Sequence, residues 1–198
     1  MKLSRRAAGF AALGAGIAAF LVLLGVGLAN RSPVTGKSGF TRVGKPAPQF
    51  VLPRVGGEEL DLADFSGEPM VINFWASWCP PCRQEALVLE DTWREHVDDV
   101  QFVGVDIQDT DADAEAYLAE FDVTYPNGLD RQGRVTVDYG VIGLPVTFFV
   151  NKAGVVERRW VGAISRDRLE AWVGELIAGQ PPDGVAEGEN LEGYFRLE

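Results

Sequence analysis

The chain has two cysteines, Cys79 and Cys82, in the segment Trp78-Cys79-Pro80-Pro81-Cys82, and their spacing implies chemistry more directly than any other feature. Three positions apart, they are too close to staple distant parts of a fold and too few for a four-cysteine zinc site. A pair so placed can open and close a disulfide, passing two electrons to or from a partner thiol pair. The competing readings are an inert local disulfide and half of a metal or iron-sulfur site shared between two chains. The one histidine, His96, leaves no imidazole set for a metal centre or a cysteine-histidine hydrolase, and reads as a polar residue near a helix end.

The elements that must position the pair follow from the periodicity around it. Met70 to Trp75 is an apolar run with the length of a buried strand. Pro81 to about His96 has helical spacing, with Cys82, Ala86, Leu89 and Trp93 on one face. The first sulfur therefore stands at a helix N-terminus, where unpaired backbone N–H groups and the helix dipole favour a thiolate. Its pKa is expected below the ~8.5 of a free thiol. Cys79 is thus the expected exposed nucleophile, and Cys82, facing the core, the resolving thiol. Pro81 suits the first helical turn because its fixed φ fits and its missing N–H costs nothing there.

Further along, Gln101 to Asp106 reads as a strand and Ala114, Tyr117, Leu118 and Phe121 as one face of a helix. Val146 to Asn151 and Val155 to Val161 flank Lys152-Ala153-Gly154 and predict an antiparallel hairpin. A last helix is expected after Ser165, burying Leu169, Trp172, Val173, Leu176 and Ile177 and stopping at Gly179. The order predicts an α/β fold with a central mixed sheet flanked by helices.

The domain is expected over residues 45–179. Before it lie a short cytoplasmic N-terminus (1–6), an apolar uncharged stretch (7–29) and a polar linker (30–44); after it comes an acidic, flexible tail (180–198). At ~1.5 Å per residue, Ala7 to Ala29 as a helix covers roughly the 30 Å hydrocarbon core, which predicts a transmembrane anchor in contact with membrane lipid. Lys2, Arg5 and Arg6 before it orient the rest of the chain to the extracytoplasmic side. A cleavable signal peptide is the alternative, given Gly27 and Ala29, and Ser4-Arg5-Arg6 touches the twin-arginine export pattern.

The stretch Val71-Ile72-Asn73-Phe74-Trp75-Ala76-Ser77-Trp78-Cys79-Pro80-Pro81-Cys82-Arg83-Gln84-Glu85, with Tyr139-Gly140-Val141-Ile142-Gly143-Leu144-Pro145-Val146-Thr147-Phe148-Phe149-Val150, resembles the thioredoxin superfamily, and within it the membrane-anchored TlpA/ResA/CcmG-type proteins. The resemblance covers roughly residues 45 to 179. It implies a thioredoxin-like fold and a cis-proline at Pro145 that faces the cysteine pair and presents the Leu144 backbone to an extended substrate. It also implies a proton-transfer role for Glu85, which shares the helix face of Cys82; read without it, Glu85 is a solvent-facing helical acid. Asn73 takes the position of the buried aspartate of ordinary thioredoxins, which leaves Glu85 as the proton acceptor. A proline common in these families two residues after the glutamate is Leu87 here, which puts the associated helix kink in doubt. Trp78 is expected to be partly exposed and to shape the substrate groove, with a core role as its alternative.

These residues together predict a dithiol-disulfide exchange enzyme that needs no cofactor. The resemblance implies a reductant of protein disulfides such as apocytochrome c cysteines before haem attachment, fed by a transmembrane thiol reductase. The alternatives are a disulfide-forming oxidase and, in another class, a copper-binding metallochaperone, which the scarcity of histidine and methionine beside the pair disfavours. A peroxidase would place its first cysteine in an isolated pocket rather than in a Cys-x-x-Cys turn. The formal net charge of -11 excludes a nucleic-acid partner, since no basic field meets phosphate. Asp109, Asp111, Asp113, Glu115 and Glu120 imitate the spacing of a calcium loop, but Ala114 stands where its turn needs glycine, and the segment reads instead as a helix start.

Overall fold

Chain contacts divide the molecule into residues 1–37 and 38–198. The computed structural model describes residues 43–180, the backbone of 187–189, and the isolated positions Phe20 and Val22. The expected anchor therefore lies outside the described residues apart from those two positions, and among the described residues no helix is long and apolar enough to cross a membrane.

Met70–Trp75 forms β3, buried at every position. A strand covered on both faces reads as a continuous apolar run, which is why its sequence lacks alternation. β4 (Gln101–Ile107) and β5 (Asn127–Asp130) extend the sheet in parallel on one side of β3. β6 (Val146–Val150) and β7 (Val156–Val161) extend it antiparallel on the other. The hairpin between them turns where Asn151 Oδ1 accepts from the N–H groups of Ala153 and Val155, both at 3.0 Å. The strand order is β5-β4-β3-β6-β7-β8, where β8 (Glu187–Glu189) pairs in parallel with β7. This short strand falls within the segment expected to be a flexible tail. A separate antiparallel pair, β1 (Val51–Pro53) and β2 (Glu59–Asp61), precedes a 3-10 turn at Leu62–Phe65.

Among the described residues of the domain lie the helices α1 (Pro80–Glu95), α2 (Asp111–Glu120), α3 (Arg134–Asp138) and α4 (Arg166–Ile177). Ser165 caps α4 as expected, accepting from the Arg168 N–H, and Gly179 follows its end at φ +63°. Leu89 of α1 and Leu169, Trp172, Val173 and Leu176 of α4 pack with Val71 and Phe149 on one face of the sheet. Ile72, Phe74, Phe148 and Tyr139 belong to the other cluster. Because side chains alternate along a strand, Asn73 projects to the same side as Val71, under α1. The expected α/β fold with a mixed sheet is thus present.

The elements that periodicity missed are β1, β2, β5, α3 and β8. β5 reads Asn127-Gly128-Leu129-Asp130, a composition that ordinarily marks a turn. It is a strand because β4 supplies its ladder and because Leu52 and Leu60 lie against Gly128, where an added Cβ would sit 2.8 Å from the Leu52 Cβ. α3 is five residues long, too short to display a period.

Candidate active site

The β3 strand ends at Trp75, and the turn Ala76-Ser77-Trp78 delivers Cys79 as the N-cap of α1. Its backbone is extended, and Pro80 and Pro81 occupy the first helical positions, where no amide hydrogen is needed. Cys79 and Cys82 are joined in a disulfide. The Cys79 Sγ accepts from the Cys82 N–H at 3.2 Å, so this sulfur receives the helix-terminal donor that would stabilise a thiolate on reduction. In the disulfide form Cys79 is 3% exposed and Cys82 fully buried. The expected exposed nucleophile is therefore recessed in this form, yet of the two cysteines it is Cys79 that lines a groove.

That groove has a volume of about 670 Å³, and its lining includes Trp78, Cys79, Ile107, Val137, Ile142 and Leu144. None of its lining residues is charged. Trp78 is 61% exposed and Ile142 83% exposed, two large apolar side chains standing at its rim. The Leu144–Pro145 peptide is cis, and the Pro145 carbonyl accepts from the Gly162 N–H at 2.8 Å, which ties it to the end of β7. Leu144 lines the groove, and Pro145 is buried.

Glu85 lies one helical turn beyond Cys82 and is 1% exposed, so it is not the solvent-facing acid that helical position alone would allow. Its Oε1 accepts from Asn73 Nδ2 and its Oε2 from the Ile164 N–H, each at 2.8 Å. The second amide hydrogen of Asn73 goes to Thr147 Oγ1 at 3.0 Å. Burial pushes the Glu85 carboxyl up to about 8, and the two donors, Ile164 and then Asn73, hold it from rising further. A group with that pKa exchanges its proton near neutrality.

Tyr117 of α2 stacks on Trp75 at 4.1 Å between ring centroids and donates its hydroxyl to the Cys82 carbonyl at 3.1 Å. Trp75 in turn donates its indole N–H to Asn127 Oδ1 at 2.8 Å. Asp109 accepts from the Ser77 N–H at 2.6 Å and the Ser77 hydroxyl at 2.9 Å, clamping the turn before Cys79. The acids that imitate a calcium loop are spread among different partners. Asp111 pairs with Arg131, Asp113 bonds the Thr110 cap and Glu120 pairs with Arg83. His96 is the C-cap of α1, and α1 runs unbroken past the exposed Leu87.

The structure brings Cys79, Trp78 and Leu144 to one groove; Cys82 and Glu85 are buried on the helix that Cys79 caps, and Pro145 follows Leu144 across the cis peptide. Sequence reasoning missed Ile164 because its contribution is a backbone N–H, which no side chain announces. It also missed Thr147, Tyr117 and Asp109 as supports, since each meets its partner only through the sheet register or a loop.

Comparison with known proteins agrees with this geometry. The chain is 30% identical over 135 residues to the thiol-disulfide oxidoreductase ResA of Bacillus thuringiensis, covering 68% of this chain and 78% of that one. It is 37% identical over 146 residues to the thiol:disulfide interchange protein DsbE of Pseudomonas fluorescens, covering 71% and 80%. The crystal structure of a secreted Mycobacterium tuberculosis disulfide oxidoreductase homologous to Escherichia coli DsbE superposes with a TM-score of 0.61 at 27% identity, covering 65% of this chain and 96% of that one. Residues 43–159, more than half of the chain, match the AhpC/TSA family, and the chain belongs to that family as a thioredoxin-like dithiol-disulfide oxidoreductase.

Proposed function

We propose that this enzyme is a membrane-anchored, extracytoplasmic reductant of protein disulfides, acting on substrates of the apocytochrome c type before haem attachment and recharged by a transmembrane thiol reductase. Its likeness to proteins named ResA and DsbE, one structural relative being a secreted oxidoreductase, supports the class and the compartment. The apolar, uncharged stretch at residues 7–29 supports the anchor.

The observation that carries the direction of electron flow is the buried Glu85 one turn beyond Cys82. In the reduced enzyme, the Cys79 thiolate at the helix N-terminus attacks a substrate sulfur, forming a mixed disulfide and releasing the other substrate sulfur as a thiolate. Cys82 must then lose its proton to attack Cys79 and complete a two-electron, two-proton transfer. Glu85 at about 8 is matched to a thiol of ~8.5, the condition for efficient proton transfer between them. A carboxyl that becomes an anion beside the buried sulfur also disfavours the dithiolate. An oxidase such as DsbA needs its reduced form stabilised, so this arrangement favours the reductant.

The test is a single-turnover reaction of the reduced protein with a peptide containing an oxidised Cys-x-x-Cys-His segment. Rapid, stoichiometric peptide reduction is expected. If instead the oxidised protein converts the dithiol peptide to its disulfide to completion, the oxidase reading takes its place.

A further inference from the structure

Asp106, near the end of β4, is 1% exposed, and neither of its carboxylate oxygens is reached by a donor in hydrogen-bonding geometry. A charged carboxylate so placed is costly, and a buried polar group without a partner calls for an explanation. Asp109 follows three residues later, beyond Gln108 with its left-handed φ of +62°, and its carboxyl is the acidic neighbour that acts on Asp106. Two carboxylates have no hydrogen to share, so their contact becomes a bond only if one of them is protonated.

Asp109 is the member of the pair committed to the active site. Both of its oxygens accept from Ser77, one from the backbone N–H and one from the hydroxyl, two residues before Cys79. Each of its oxygens already faces a donor from Ser77, so the hydrogen that would join the two carboxyls is assigned to Asp106.

We propose that Asp106 is a protonated positioning residue, donating its carboxyl hydrogen to Asp109 so that Asp109 holds the Ser77 turn and, through it, Trp78 and Cys79 at the groove. The proposal takes from the functional reading above only that Cys79 is the reacting sulfur; it is indifferent to the direction of electron flow.

The surroundings agree. Burial first, then the bond and charge of Asp109, raise the Asp106 carboxyl to about 9, while the nearby Ile107 N–H and the Arg131 guanidinium oppose the rise. Arg131 is itself engaged by Asp111. On β5, Asp130 spends its charge on the N–H and hydroxyl of Thr136, at 2.8 and 2.7 Å. Tyr117 of α2, a further titratable neighbour, is held neutral by burial, with Glu85 and Asp106 adding to the effect. Loss of the Asp106 proton at alkaline pH would set two like charges against each other beneath the Ser77 turn.

The protonation is read directly from the carboxyl ¹³C shift of Asp106 in the full-length wild-type protein, with Asp106→Asn identifying the resonance. Asp106 should remain protonated at pH 7 and titrate in the alkaline range; an ionised Asp106 at pH 7 overturns the proposal without any variant having to fold. The positioning is read from kcat/KM toward a protein disulfide and its pH profile. Asp106→Asn, which keeps a donor for Asp109, should retain activity at neutral pH and lose an alkaline inflection. Asp106→Ala, which removes the donor, should lose roughly ten- to a hundredfold, the scale of a displaced reacting group. Wild-type activity and pH profile in a folded Asp106→Ala variant would refute the positioning role, while leaving the exchange chemistry of Cys79 and Cys82 untouched.

Discussion

Asn73 of the central strand donates to the Oε1 of Glu85 at 2.8 Å, linking the middle of β3 to the helix that carries the disulfide. An amide in this position cannot itself titrate, so the bond tunes the one carboxyl beneath Cys82 instead of competing with it for a proton. Replacing Asn73 by Ala removes a donor that favours the carboxylate. A hydrogen bond to a charged group is worth ~1.5–3 kcal/mol, so the Glu85 pKa should climb from about 8 by about one to two units. Titration of the Glu85 carboxyl by NMR checks this; an unchanged or lowered value would separate Asn73 from the tuning of Glu85.

Glu85→Gln removes the titration. The folded carboxyl, raised from 4.5 to about 8, binds a proton over a window where the unfolded chain does not. Its stabilising contribution is therefore full below about pH 4.5 and is lost as pH rises through about 8. Asp106, raised from 3.8 to about 9, slopes the same way, so Glu85→Gln should flatten part of the decline in urea midpoint across that window. The thiol pKa of Cys82 should fall in the same variant, since a neighbouring negative charge is gone. Unaltered thiol titration would remove Glu85 from the proton pathway.

The two sulfurs should fail differently. Cys79→Ala leaves no sulfur on the groove and should abolish reduction of insulin disulfides. Cys82→Ala leaves the nucleophile but no resolving thiol, so a mixed disulfide with substrate should accumulate, detectable by mass spectrometry. Trapping through Cys82 in Cys79→Ala would reverse the roles assigned here.

Gly104 is a packing requirement of the same site. A Cβ there would stand 1.6 Å from Asn127 Oδ1 and 2.9 Å from Trp75 Nε1, on top of the bond that fixes the Trp75 ring. Gly104→Ala should cost about 1–3 kcal/mol or more, as overpacking does, and should appear as a lowered melting temperature. Wild-type stability would mean that Asn127 can move aside freely.

Much of this was legible because two signals coincided at the cysteines: a fully apolar run and then a helical period, with prolines at the junction. The same apolar periodicity located β4, β6, β7 and α4, and Ser165 marked a helix start before any contact was known. β5 escaped because Asn127, Gly128 and Asp130 are strand residues only by virtue of β4 and the Leu52 and Leu60 side chains beside them. Glu85 could be placed on the Cys82 face from spacing, but its burial could not, since that depends on Asn73 and on the Ile164 N–H contributed 79 residues later. The recession of Cys79 was equally hidden, because exposure is set by the folded surroundings and not by the spacing of the two cysteines.

The central claim, that the Cys79–Cys82 couple runs as a reductant, is tested most directly by its reduction potential, measured by equilibration of the full-length protein with glutathione and dithiothreitol buffers. A value toward the ~-270 mV of thioredoxin is predicted, because Glu85 offsets the helix-terminal stabilisation of the thiolate. A value near the ~-120 mV of a strong oxidant such as DsbA would contradict it and turn the direction of electron flow around.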